Sequence, residues 1–304
     1  DGDARVYVLH HQNIPGVAGY FSSSDLLPSA VDPYSNRHEM FYVNLTTYRP
    51  GSYSYLSLLA HEYQHMIHAA HDPDEAVWVN EGLSELAAVI AGYGDQTGDA
   101  FFNAPDTGLT QWDPDTAGNT AHYAAAYAFC AYLRARYGDE VLGAVVRAPR
   151  NGPAGIAQAL AAIGRPRSFD ALFLDWVAVN LVHDNGRADA GFSYGPHEMR
   201  RTAATPLADA GAADTVSQYG TDYHDVTGLV RDGRLALAFA GDPTVELMPA
   251  AGDAGGQVWW SGTGDSMNSR LTRTFDLSSV SAARLAFRLR TELETNWDYA
   301  YVTA

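Results

Sequence analysis

The sequence predicts an α+β protein: a small N-terminal sheet, a mainly helical second half, and a partial β-sandwich at the C-terminal end. Three observations predict it. Two runs rich in β-branched and aromatic residues, Arg5 to Leu9 and Met40 to Leu45, stand near the start. From Ser54 to about Gly164 the apolar spacing becomes helical. After about Arg201 the chain turns to small residues and then to short runs of period two. This shift divides it into residues 1–201 and 202–304.

The two strand-like runs are separated by the Ser/Pro/Asn-rich stretch SSSDLLPSAVDPYSN, which reads as a loop. Tyr55–His71 is the first predicted helix. Asp74–Tyr93 is the second, with Pro73 just ahead of it and Gly92 and Gly94 at its end. Asn119–Tyr137 stops at Gly138, and Gly155–Ile163 stops at Gly164. Ser168 to Leu181 forms a further helix, with Ser168 as N-cap and Asp170 in the first turn, where a carboxylate meets the positive end of the helix dipole. Residues 202–215 are linker-like. Beyond them, in ARLAFRLR, Leu285, Phe287 and Leu289 face one way and Arg284, Arg288 and Arg290 the other, as in one sheet of a sandwich.

A length of 304 residues suits one large or two ordinary domains, and 46% hydrophobic residues exclude a disordered chain. The formal charge of −17 argues against nucleic acid or an anionic membrane as partner. No apolar run reaches the length of a membrane span. Lys is absent, and the acid is mostly Asp in loops, a surface that suits an extracellular or cell-surface protein. The first residues read as a strand under way and the last stop inside a strand-like pattern. A fragment is therefore expected, with any targeting segment upstream. The single cysteine, Cys130, excludes an internal disulfide and reads as a small buried apolar residue.

The most informative stretch is His61-Glu62-Tyr63-Gln64-His65, an HExxH pattern inside LSLLAHEYQHMIHAA. Residues four apart share one helical face, so His61 and His65 can present ring nitrogens to one metal ion. Glu62 sits one step round, placed to take a proton from water at that ion. Chance yields such a pattern on the order of 0.01 times in a chain of this make-up. A second block, WVNEGLSE from Trp78 to Glu85, follows sixteen residues on.

A zinc site takes three protein ligands and keeps one position open. Glu81 and His71 compete for the third place. His71 stands ten residues after His61, the spacing of HExxHxxGxxH, but that motif turns at a Gly, and here His68 holds that place within a segment that favours continued helix. A continuing helix carries His71 away from the ion, which favours Glu81. His68 and His71 then read as capping or surface residues, with a place behind a metal ligand as the alternative for His68. Glu85, four residues after Glu81, can accept the free N–H of a ligating histidine.

HEYQH with WVNEGLSE resembles the gluzincin zinc metallopeptidases, most closely hyicolysin-like secreted bacterial neutral proteases. The resemblance covers about residues 5–200. It implies a gluzincin-type fold and zinc-dependent hydrolysis of peptide bonds, with His61, His65 and Glu81 on Zn2+, Glu62 as general base and Glu85 behind a ligand. Related aminopeptidases place a tyrosine on a later helix against the carbonyl oxygen. Tyr123 fits that role best, with Tyr127 and His122 as rivals. The same analogy makes MFYVNL the edge strand on which a substrate lies, with a core strand as the alternative. The C-terminal part, with QVWWSGTGDSMNSRLTRTFDLS, is similar to the β-sandwich module of immune-inhibitor-A-type proteases.

A zinc endopeptidase is therefore expected, acting on protein or peptide substrate. The alternatives are a zinc exopeptidase or other zinc hydrolase, and a catalytically silent extracellular binding protein. His38-Glu39 and His197-Glu198 repeat the HE pair without a second histidine and read as surface pairs, and Met199 and Met248 lack the context of a metzincin Met-turn. Asp95–Asp99 and Asp113–Asp115 are weak candidates for structural Ca2+, and Glu292, Glu294 and Asp298 read as exposed strand and turn residues.

Overall fold

The computed structural model describes residues 3–94, 98–112, 119–183, 192–207, 213–230, 232–236, 238–242, 258–262, 268–291, 293 and 299–303. Met248, Asp95, Asp113, Asp115, Glu292, Glu294 and Asp298 lie outside them. Among the described residues the architecture is mixed α/β and mostly helical, with seven α-helices and a small sheet.

The sheet comes first. Strand β1 (Tyr7–His11) runs parallel to β3 (Met40–Asn44), and β2 (Gly19–Phe21) pairs antiparallel on the other side of β3. The order β1-β3-β2 puts β3 in the centre, so of the two readings of MFYVNL the core strand holds and the edge strand does not. The reason is visible in its burial: four of its five residues are buried, Val43 completely, as a strand flanked on both sides requires. The edge beside the first helix is β2. At Gly19 any Cβ would stand 2.6 Å from the Tyr42 carbonyl oxygen and 2.8 Å from Leu58, so only glycine lets β2 lie this close.

Helix α1 (Tyr53–Ala69) starts at Ser52, whose hydroxyl accepts the Tyr55 N–H at 3.3 Å. A short turn leads to α2 (Val77–Ile90), and the two helices pack against each other. Helices α3 (Asp99–Asn103) and α5 (Asp139–Val146) have no counterpart among the sequence expectations. Each is short, and α5 follows Gly138 directly, so its pattern merges with the preceding helix. Helix α4 (Thr120–Tyr137) is the axis of the core. Ala124 through Leu133 are all buried, which an alanine-rich helix permits because neighbours approach it from every side. Helices α6 (Gly152–Ala162) and α7 (Phe169–Val182) complete the layer, and Ser168 caps α7 by accepting the Ala171 N–H. Trp176 stacks on Phe101 with centroids 5.1 Å apart, and Phe129 meets the same indole edge-on.

Gly82 sets the closest approach of α2 to α4. A Cβ there would fall 2.6 Å from the Ala126 carbonyl oxygen and 2.9 Å from Cys130 Sγ. Both are rigidly held, and Cys130 is a buried thiol as the sequence implied. Gly82→Ala therefore forces the helices apart. We expect it to cost about 1–3 kcal/mol in urea unfolding, the usual range for overpacking. An unchanged midpoint would mean the two helices yield more readily than this packing implies.

The first compact unit runs from Asp1 to Ala238 and includes 264–267, so it extends past residue 201. Two tyrosines hold the added segment down. Tyr219 packs its ring on Phe169 and Phe173, and Tyr223 donates its hydroxyl to the Val177 carbonyl at 2.8 Å. The two-residue strands β4 (Thr205–Pro206) and β5 (His224–Asp225) pair in parallel here. The second unit comprises 239–263 and 268–304. Among its described residues no strand is assigned, and Trp259, Phe287 and Leu289 are exposed.

Candidate metal centre

Helix α1 carries His61 and His65 on the face turned to α2, and α2 answers with a polar stripe, Asn80, Glu81, Ser84 and Glu85. In an otherwise apolar helix these four fall at i, i+1, i+4 and i+5, adjacent places on one side. Three ligand atoms converge between the helices. His61 Nε2 and His65 Nε2 are 3.0 Å apart, and Glu81 Oε2 lies 3.2 Å from the first and 3.5 Å from the second. The three residues form a group able to hold a metal ion.

The other ring nitrogens decide the tautomers. His65 Nδ1–H donates to Asn80 Oδ1 at 3.0 Å, with Ser84 Oγ at 3.1 Å. His61 Nδ1 is 3.3 Å from Glu85 Oε1, the partner expected for Glu85. With both Nδ1 atoms donating, both Nε2 atoms face the centre with lone pairs, and the third atom is a carboxylate oxygen. Three acceptors within 3.5 Å of one another repel unless a positive centre, a proton or a metal ion, lies between them. Tetrahedral coordination with bonds of ~2.0–2.1 Å separates ligand atoms by about 3.3–3.4 Å. The donor set and its spacing therefore fit a small divalent cation.

The electrostatics favour a positive centre of either kind. Burial lowers the basicity of His61, but Glu81 and Glu85 outweigh it and push the ring up to about 10. Burial raises the Glu81 carboxyl, but the two histidines outweigh it and hold it at about 2. The pocket is built to keep positive charge beside carboxylates.

Glu62 is 4% exposed, and its Oε2 accepts the Phe21 N–H from β2 at 2.9 Å. Burial raises its carboxyl above the usual range. Tyr123 extends from α4 toward the same place. Burial, then Glu81, Glu85 and Glu62, hold its phenol well above the ordinary tyrosine range, and Glu81 is within its hydrogen-bonding reach. Tyr127, one turn on, is pushed up to about 12 by burial and by Glu85. His122 instead lines a cleft with Asp106 and Asp222.

His71 and Met199 keep the places expected of them, while His68 and His197 do not. His71 is exposed beyond the end of α1 and does not join the cluster. His68 is neither cap nor surface: it is fully buried, because the last turn of α1 runs beneath the start of α2. His197 is 6% exposed, with Nε2 facing Arg134 at 3.4 Å, and so is no surface residue. His38 stacks on Tyr7, and Met199 belongs to the apolar core. Tyr48 was not singled out from the sequence. Burial raises its phenol, and Glu85 and Glu62 raise it further, which places it by the two carboxylates. No motif spacing links it to them. Asn80 and Ser84 carried a legible signal, since they flank both glutamates of the α2 stripe.

The contact between Glu85 and His61 gives a direct test. Glu85→Gln weakens the acceptor that fixes the ring, and zinc affinity should fall by about 10–100-fold, measured by competition with a chromophoric chelator. An unchanged affinity would leave Glu85 with no part in orienting His61. A scan against protein-family models finds no match for this chain, and a search of the curated proteins finds none.

Proposed function

We propose that this chain is a zinc-dependent endopeptidase of gluzincin type, working outside the cell or at its surface. The observation that carries the reading is the convergence of three acceptor atoms, His61 Nε2, His65 Nε2 and Glu81 Oε2, beside a buried carboxylate, Glu62, that ligates nothing in the cluster. Bound zinc supplies Lewis-acid chemistry, making water acidic near neutral pH and polarising a peptide carbonyl. Glu62 accepts the proton of the attacking water and later delivers it to the leaving amine nitrogen. The Phe21 N–H holds this carboxylate in place between the two transfers. Tyr123 donates its hydroxyl hydrogen toward the carbonyl oxygen as charge develops there, a role its neutral state at working pH allows. Glu85, Asn80 and Ser84 keep both imidazoles oriented.

An extended substrate backbone would add to the free edge of β2, whose last residue contacts Glu62. The alternation of ARLAFRLR supports reading the C-terminal residues as part of a β-sandwich accessory module. Casein, a protein substrate, tests the endopeptidase reading. Cleavage within the casein chain that stops on chelation and returns with zinc is the expected result. Release of terminal residues alone would make the chain an exopeptidase, and zinc binding without cleavage of any peptide would sink the proposal.

A further inference from the structure

A second cluster lies at the turn between α1 and α2. His68 stands on the last turn of α1, Asp72 in the turn and Glu75 just before α2. All three are buried, at 0%, 7% and 4% exposure. His68 Nε2, Asp72 Oδ2 and Glu75 Oε2 are each buried without a hydrogen-bond partner, and each of the three residues brings a ligand atom within 4.8 Å of the others'. A folded protein pairs nearly all of its buried polar atoms, so three unpaired ones in one cluster call for a shared partner. No residue of this cluster belongs to the His61 site.

We infer that His68, Asp72 and Glu75 form a second site for a divalent cation, distinct from the one at His61, His65 and Glu81. One imidazole nitrogen and two carboxylate oxygens suit a first-row transition ion such as zinc. Closing on bonds of ~2.0–2.2 Å brings the three atoms nearer by about 1 Å, a movement the turn at 70–74 can absorb. The second oxygens are already committed on one side. Glu75 Oε1 accepts the N–H groups of Ala76 at 2.7 Å and Gly152 at 2.6 Å, so the carboxylate is held by the starts of α2 and α6 while Oε2 points inward. The turn is closed by Asp72 N–H donating to the His68 carbonyl at 2.8 Å.

Ligation through Nε2 puts the His68 proton on Nδ1, which lies 3.4 Å from the Gln64 amide nitrogen. The Gln64 amide then turns over, presenting its oxygen to His68 and its nitrogen to Ser84. Ser84 Oγ lies 2.6 Å from Gln64 Oε1 and 3.1 Å from His65 Nδ1. A hydrogen-bonded chain from His65 through Ser84 and Gln64 to His68 would thus join the two sites. The second ion would be structural: it ties the end of α1 to the start of α2 and so sets the separation of the helices that carry the first site.

The test is zinc titration of the metal-stripped full chain, read by elemental analysis after gel filtration. Two zinc ions per chain are expected, falling to one in Asp72→Asn and in Glu75→Gln, and to one in Glu81→Gln. The combination of Glu81→Gln with Asp72→Asn should bind none. The Glu81→Gln variant should also gain thermal stability on adding zinc, and adding Asp72→Asn should remove that gain. Circular dichroism checks that each variant folds, and Glu75→Gln keeps an oxygen for Gly152. A zinc content that does not depend on Asp72 or Glu75 in folded variants overturns the inference. Because Glu81→Gln isolates the second site, the result stands apart from whether the first site hydrolyses peptides.

Discussion

Glu62→Gln should lower kcat on casein by about 10²–10⁴-fold, the usual worth of a positioned general base, while KM changes little. The amide is the same size as the carboxylate and still offers an oxygen to the Phe21 N–H. It cannot take a proton. Glu62 is not among the converging ligand atoms, so the variant should keep its zinc. The chain should also lose no stability, because burial disfavours the ionised carboxyl that the substitution removes. The diagnostic combination is full metal content, an unlowered Tm and almost no turnover. A variant retaining more than about a tenth of wild-type kcat would show that another group carries the proton, and the assignment of Glu62 would fall.

Glu81→Gln should act on the metal instead. Structural zinc in four-ligand zinc-finger sites is worth about 10–16 kcal/mol, so one ligand accounts for roughly 2.5–4 kcal/mol, or about 10²–10³-fold in affinity. A neutral amide oxygen is a poorer ligand and does not balance the charge between His61 and His65. Activity should be lost together with zinc and recover in part at high zinc concentration. Glu62→Gln would show no such recovery, which separates binding from chemistry. His71→Ala is the matched control. His71 is exposed beyond α1, so its loss should leave zinc affinity unchanged. If His71→Ala empties the site and Glu81→Gln does not, the third ligand has been misassigned.

The sequence carried much of this site because helices translate spacing into position. A spacing of four from His61 to His65 put both rings on one face, and the same spacing from Glu81 to Glu85 did so on α2. The helices over 53–69, 77–90, 120–137, 152–162 and 169–182 were legible for the same reason, each within a few residues of its expected ends. Shorter pieces were not. The three-residue strand β2 has too few side chains for a period to appear, yet it holds Glu62.

Two kinds of knowledge therefore separate. The sequence by itself determined the local register: which residues share a helical face, where helices start and stop, and which donor atoms could serve a metal. Only the tertiary structure decided what meets across elements. It brought Tyr123 and Tyr48 to the carboxylates, placed β3 in the middle of its sheet, and buried His68 with Asp72 and Glu75. The physical reason is that periodicity reports the geometry of one segment, whereas these contacts depend on how α1, α2 and α4 close on one another. That closure is set by packing at points such as Gly82, where the absence of a side chain lets two helices touch.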